Sequence, residues 1–251
     1  MAQESGRPAV LRSPGEGVSI YSLPGDEPYE RSRPARNLIG RLQFLTMDEG
    51  PLGHLQQVEM ACRAGIRWIQ LRMKGAVEDQ FLHTALAAKR ICDECGCALI
   101  INDRVDIAKA VRADGVHLGK QDMPVGEARQ LLGNDFIIGG TANTAEDILE
   151  HCRQGADYIG LGPYRYTTTK KKLSPVLGLE GYRKIMDILI TERVSVPIVA
   201  IGGIVMEDLA ELLRAGLYGV AFSGLLVNAA DPKKAVRELM EKIRAGDGQL
   251  L

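Results

Sequence analysis

Gly155-Ala-Asp-Tyr-Ile-Gly-Leu-Gly162 reads as the end of one helix and the start of a buried strand, and the chain uses the same joint twice more. The echoes are Arg112-Ala-Asp-Gly-Val-His-Leu-Gly119 and Gly216-Leu-Tyr-Gly-Val-Ala-Phe-Ser-Gly224. In each, a turn closes a helix, a short apolar run follows, and glycine ends the run. A reused αβ joint of this kind argues for parallel strands joined by crossover helices.

Outward from these joints, the chain from Arg41 onward alternates short apolar or β-branched runs with amphipathic stretches. Eight strands are predicted, at 41–46, 67–72, 98–102, 115–118, 136–139, 158–162, 198–201 and 219–223. Helical patterns follow them, among others at 77–92, 127–132, 145–154, 179–190, 206–215 and 233–244. Eight βα units in about 210 residues fit the size and repeat of a single (β/α)8 TIM barrel, assigned to residues 38–251. A doubly wound open sheet is the alternative, but no GxGxxG follows the first strand to recommend it. Residues 1–37 hold five of the eleven prolines among Gly, Ser and scattered charges, without either periodicity, and are expected to form a flexible, disordered tail.

The 251 residues are 45% hydrophobic and 25% charged, an ordinary globular composition with chain enough for one large core. A net charge of -1 provides no global field for nucleic acid, so anion binding must be local and the ligand small. No apolar run reaches the roughly 20 residues of a membrane span, and no secretory h-region opens the chain. A cytoplasmic protein is expected. Five cysteines, an odd number, suit a reducing compartment better than a disulfide framework. The run Cys92-Asp-Glu-Cys95-Gly-Cys97 has no second cluster spaced to complete a metal site.

In a parallel barrel the ligand site lies at the C-terminal ends of the strands. On the second strand Gln70, Arg72 and Lys74 alternate with Ile69, Leu71 and Met73, so period two aims the three polar side chains into the mouth. A desolvated, unpaired Arg and Lys would be costly, which implies an anionic partner; a salt bridge to an internal carboxylate is the other reading. The third strand runs from Asn102 into Asp103, and Asp122 follows the fourth. Two carboxylates at adjacent strand tops could supply hard oxygens to Mg²⁺, or each could cap a helix. Ile201-Gly-Gly-Ile204 and Phe222-Ser-Gly224 put glycines at the tops of strands seven and eight, where barrels often hold phosphate. After strand six, Thr167-Thr-Thr-Lys170-Lys-Lys172 places hydroxyls and ammonium groups together, with no acid between Asp157 and Glu180. On its own such a run is a solvated basic loop; beside the other anion-binding tops it completes two anion subsites in one mouth. Joining or exchange of two phosphorylated molecules is the chemistry this suggests.

These motifs resemble thiamine phosphate synthases. The resemblance rests on Gln70-Leu-Arg72-Met-Lys74, Ile101-Asn-Asp-Arg104, Asp114-Gly-Val-His-Leu-Gly119 with Asp122, Gly162-Pro163 leading to Thr167-Thr-Thr-Lys170, Leu177-Gly-Leu-Glu-Gly181 and Ala200-Ile-Gly-Gly-Ile204, in uninterrupted order over about residues 40 to 245. It implies a Mg²⁺-dependent transferase that joins 4-amino-2-methyl-5-hydroxymethylpyrimidine diphosphate to 4-methyl-5-(2-phosphoethyl)thiazole, giving thiamine monophosphate and pyrophosphate. It further implies that Arg72, Lys74, Asn102 and Lys170 hold the diphosphate, with Arg72, Lys74 and Lys170 as the catalytic cations. Asp103 and Asp122 would bind Mg²⁺, and Gln70 with Thr141 would meet the pyrimidine. Thr167 and Thr169, with Gly203, Ser223 and Gly224, would serve the thiazole phosphate. The chain departs from the family in having Gly140-Thr141 where Gly-Val-Ser is common, which keeps a hydroxyl, and Tyr166 where proline usually precedes the first Thr. On strand eight the ungapped register sets the family's Ser on Gly224, beside Ser223.

Two other readings compete. A thiazole tautomerase on the same barrel uses a histidine where this chain has Asn143, and a non-catalytic phosphate-binding barrel would have no use for the cations and carboxylates. His117 is expected to be a hydrogen-bonded residue of the core or mouth, and His54, His83 and His151 to lie on helix surfaces. The expected partners are the two small phosphorylated substrates, without nucleic acid or membrane; the sequence leaves room for a homo-oligomer.

Overall fold

The computed structural model describes residues 37–166 and 175–247. Eight parallel strands close into a barrel in chain order: β1 (Leu42–Leu45), β2 (Trp68–Leu71), β3 (Ala98–Asn102), β4 (Gly115–Leu118), β5 (Ile137–Ala142), β6 (Tyr158–Leu161), β7 (Ile198–Ile201) and β8 (Gly219–Phe222). Closure is made by β1 on β8, in the register Leu42 to Val220 and Phe44 to Phe222. The helices are α1 (His54–Ala64), α2 (Glu78–Cys95), α3 (Val105–Ala110), α4 (Val125–Leu132), α5 (Ala145–Arg153), α6 (Gly178–Thr191), α7 (Leu209–Arg214), α8 (Gly224–Val227) and α9 (Pro232–Asp247). A 3-10 turn at Met206–Asp208 leads into α7. The expected (β/α)8 barrel is therefore observed, with each strand where the joints placed it. The largest shift is in β5, which runs three residues beyond 139 and takes Gly140 and Thr141 into the sheet.

Local sequence sets the helix ends. Thr144 caps α5, its hydroxyl accepting from the Asp147 N–H at 3.2 Å while Asp147 accepts back from the Thr144 N–H at 3.1 Å. The acidic pair Glu78 and Asp79 opens α2, where it meets the positive end of the helix dipole. Gly65 ends α1 at φ 103, a conformation that would strain any side chain.

Period two divides the strand residues between two cores. Leu45, Trp68, Ala98, Ile100, Ile137, Tyr158, Val199 and Ala221 fill the barrel interior, and Trp68 meets Tyr158 edge-on at 4.7 Å between centroids. Phe44, Ile69, Leu71, Ile101, Val116, Ile138, Ile159 and Val220 face the helices in the larger outer core. At the N-terminal end of the strands, Arg129 forms an ion pair with Asp157, which is 3% exposed and also accepts from the Ile138 N–H at 2.9 Å. This end is built for stability and leaves the opposite end for chemistry. No helix among the described residues is long and apolar enough to cross a membrane.

Candidate active site

The C-terminal mouth holds a cavity of about 380 Å³. It brings together Arg72 after β2, Thr141 near the end of β5, Gly203 after β7, and Ser223 and Gly224 after β8, against Leu45, Met47, Pro163 and Phe222. Five of the residues expected from sequence thus share one lining. Gly202 and Gly203 both take positive φ, 96° and 68°, and a Cβ on Gly203 would come within 2.9 Å of the Arg165 Cβ. α8 starts directly at Gly224. Short βα turns without side chains, followed by a short extra helix, are the arrangement in which such barrels commonly hold phosphate between the last two strands.

Gln70 and Asn102 point inward and are 1% and 7% exposed. Gln70 Nε2 lies 3.4 Å from Gln43 Oε1, whereas Gln70 Oε1 is buried without a hydrogen-bond partner among the described residues. Thr167, Thr169 and Lys170 lie outside the described residues, as does most of the tail assigned to 1–37.

Beside the cavity stands an acidic and basic cluster. Asp103, just past β3, adopts φ 65, and Asp122 accepts from the Gly119 N–H at 2.7 Å. Neither carboxylate caps a helix. Lys74 forms an ion pair with Asp103, the internal salt bridge that stood as the other reading of this lysine, and its side chain is 47% exposed. Burial works against the charge on Asp103, but hydrogen bonds from Asp122 and Lys74 outweigh it and hold the carboxyl below its ordinary range. Burial and then the adjacent Asp103 push Asp122 up to about 6. Two hard-oxygen groups thus stand within hydrogen-bond reach of each other. Among the described residues no set of three or more His, Cys, Asp or Glu gathers as a metal site, so the protein offers two carboxylates. That donor set fits Mg²⁺, which is usually held by one or two carboxylates with substrate phosphate and water completing its shell.

Sequence reading missed three features. Tyr158 and Gln43, inward from β6 and β1, join His117 and Thr141 in a buried chain of hydrogen bonds; the signal was the small inward residues Gly139 and Gly160 that make room for them. Arg165 and Asp208 tie the loop after β6 to the turn after β7. Asn143, 8% exposed, donates its side-chain amide to the Gly162 carbonyl. His117 has the hydrogen-bonded role expected of it and His83 is exposed. His54 and His151 lie on helices as expected, but each is half-buried and hydrogen-bonded. His54 bridges Thr46 Oγ1 at 2.9 Å and Asp48 Oδ1 at 3.2 Å. His151 packs over Gly140, with Nε2 3.0 Å from the Thr141 carbonyl oxygen. Both turn toward strand tops because a backbone or hydroxyl partner lies there.

The chain matches the family model described as thiamine monophosphate synthase over residues 45–226. It is 48% identical over 203 residues to the thiamine-phosphate synthase of Bacteroides thetaiotaomicron, covering 81% of this chain and 97% of that one. The corresponding protein of Flavobacterium psychrophilum is 43% identical over 206 residues, covering 82% of this chain and 100% of its own. Among solved structures, the thiamine phosphate pyrophosphorylase from Pyrococcus furiosus superposes with a TM-score of 0.72 at 32% identity, covering 84% and 98% of the two chains.

Proposed function

Because the chain belongs to the thiamine monophosphate synthase family and is a transferase of that kind, we propose that it joins 4-amino-2-methyl-5-hydroxymethylpyrimidine diphosphate to 4-methyl-5-(2-phosphoethyl)thiazole. The products would be thiamine monophosphate and pyrophosphate. The observation that carries this reading is that one mouth holds two differently charged subsites: the glycine tops at Gly203, Ser223 and Gly224, and the Lys74, Asp103 and Asp122 cluster on the strand tops that include Arg72. A monophosphate suits the first and a diphosphate with Mg²⁺ suits the second.

In this mechanism the C–O bond at the pyrimidine methylene breaks first, and its electron pair leaves with the diphosphate. The thiazole nitrogen then donates its lone pair to the benzyl-like cation, forming the C–N bond. No nucleophilic side chain is required. Arg72 and Lys74, with Asn102 and Lys170, hold a leaving group whose charge grows toward the transition state, so they stabilise that state more than the ground state. Gln70 and Thr141 orient the pyrimidine; Gly203, Ser223 and Gly224, with Thr167 and Thr169, hold the thiazole phosphate so that its nitrogen faces the methylene carbon. Mg²⁺ held by Asp103 and Asp122 would supply further charge neutralisation to the diphosphate. Asn143 spends its amide on Gly162 and has no acid or base to offer, which disfavours the tautomerase reading. The setting proposed with this activity is cytoplasmic and involves small substrates alone.

The test is pyrophosphate release by the purified protein given both substrates, with Mg²⁺ and then with EDTA. Metal-dependent release that needs both substrates and yields thiamine monophosphate supports the proposal. Absence of release from folded protein under both conditions overturns it.

A further inference from the structure

Beneath the mouth, four buried or half-buried side chains from four strands form one line. Gln43 Nε2 donates to Tyr158 Oη at 3.1 Å, Tyr158 Oη lies 3.0 Å from His117 Nδ1, and His117 Nε2 lies 3.0 Å from Thr141 Oγ1. The line sits in a slot cut for it. A Cβ on Gly139 would fall 2.2 Å from the Tyr158 ring and 2.6 Å from His117 Nδ1, and a Cβ on Gly160 would fall 3.0 Å from His117 Cε1.

Each link fixes the polarity of the next. Gln43 Oε1 faces Gln70 Nε2, so the Gln43 amide turns its N–H groups to Tyr158. The phenol oxygen receives hydrogen bonds from both Gln43 and Gln70, which fill its acceptor sites and direct its single proton at His117 Nδ1. Burial, only partly opposed by the hydrogen bonds from Gln43 and Gln70, raises the affinity of the phenol for that proton, so Tyr158 stays neutral and can donate. With Nδ1 accepting, the neutral imidazole carries its hydrogen on Nε2 and donates to Thr141 Oγ1. The Thr141 hydroxyl, which lines the cavity, is left with its own hydrogen to give.

Resting on the proposed function, we infer that Gln43, Tyr158 and His117 are positioning residues that lock Thr141 as a hydrogen-bond donor toward the substrate heterocycle. The mouth then selects a ring that presents an acceptor, such as an unprotonated ring nitrogen, at Thr141. A ring presenting N–H there finds only the one lone pair that His117 leaves on Thr141 Oγ1 and strands the hydroxyl hydrogen, so it binds more weakly. Tyr158 acts at one remove, through the tautomer of His117, and touches no substrate atom itself.

Nitrogen-15 NMR of histidine-labelled full-length protein, with His117 assigned through its backbone, reads the tautomer without turnover. The Nε2–H form in the wild type and its loss in Tyr158→Phe is the expected result; the Nδ1–H form or an imidazolium in the wild type overturns the inference. In steady-state kinetics, Tyr158→Phe is expected to raise KM for the pyrimidine diphosphate about tenfold, the size of one lost hydrogen bond. KM for the thiazole phosphate should stay at the wild-type value. Equal shifts in both KM values, or none, overturn it. If the wild type makes no thiamine monophosphate the functional proposal fails, while the NMR result still decides the relay.

Discussion

Arg165 holds Asp208 with both arms of its guanidinium, Nη2 lying 2.5 Å from Oδ1 while Nη1 bonds Oδ2. The same Nη1 donates to the Gly203 carbonyl at 2.9 Å, and the guanidinium stacks 4.7 Å from the Tyr164 ring centroid. Asp208, 6% exposed, also accepts from the Val205 N–H at 2.8 Å. The pair braces the glycine turn that forms one wall of the cavity. Arg165→Ala is expected to lower stability by about 1–3 kcal/mol, the range for a buried group left without its partner. It should raise KM for the thiazole phosphate more than that for the pyrimidine diphosphate, as urea titration and initial rates would show.

The same pair sets a pH dependence. Burial opposes the charge on Asp208, but Arg165 and the Val205 N–H outweigh it, so the folded carboxyl titrates below its ordinary 3.8. A depressed carboxyl contributes stability that is complete above the unfolded value and is lost as pH falls through the folded one. Unfolding free energy measured from about pH 6 to about pH 2 should therefore decline toward acid. That decline should be shallower in Arg165→Ala.

At the carboxylate pair, Asp103→Asn or Asp122→Asn is expected to reduce the rate at saturating Mg²⁺ by about 10²–10³, the loss typical of one well-placed electrostatic group. In metal-free buffer Asp122→Asn should leave the melting temperature unchanged or raise it, because the like charge beside Asp103 is gone. A variant that melts early and keeps its Mg²⁺ dependence would count against the pair as a metal site.

The far end of the barrel supplies a contrast. Arg129→Met would take the cation from the buried Asp157, which keeps the Ile138 N–H but loses its ion pair, at a cost of about 3–5 kcal/mol. The kinetic constants per folded molecule should not change, since the pair lies at the opposite end of the strands from the mouth. Denaturation curves together with active-site-normalised rates check both halves of this expectation.

The barrel was legible because its signal is local and repeated: a helix end, an apolar run and a glycine, as at Gly155–Gly162, report their own conformation. Gln70 and Arg72 were placed by period two alone. Contacts between strands were harder to read. Lys74 and Asp103 stand 29 residues apart and meet only across neighbouring strand tops, and Tyr158 and Gln43 are separated by 115. The half-burial of His54 and His151 was not legible from their helical positions, since it depends on the hydroxyl or carbonyl that stands opposite each imidazole. The fifth strand is predicted to end at 139, short of Thr141; glycines ordinarily weaken a strand, but here Gly139 and Gly140 make room for the rings of Tyr158, His117 and His151.

Closure of the ring by β1 and β8 also bears on how the chain matures. Leu42–Leu45 is among the first strand residues to be synthesised, and its second neighbour, Gly219–Phe222, is the last strand to appear. Until then the nascent sheet has two open edges. The Arg41 side chain, bonded to the Tyr218 carbonyl across 177 residues of sequence, forms its native contact only at the end. A topology with so distant a final pairing folds slowly and exposes its edges while it waits. Its window of vulnerability to aggregation is thus set by translation of the last strand and not by the stability of the finished barrel.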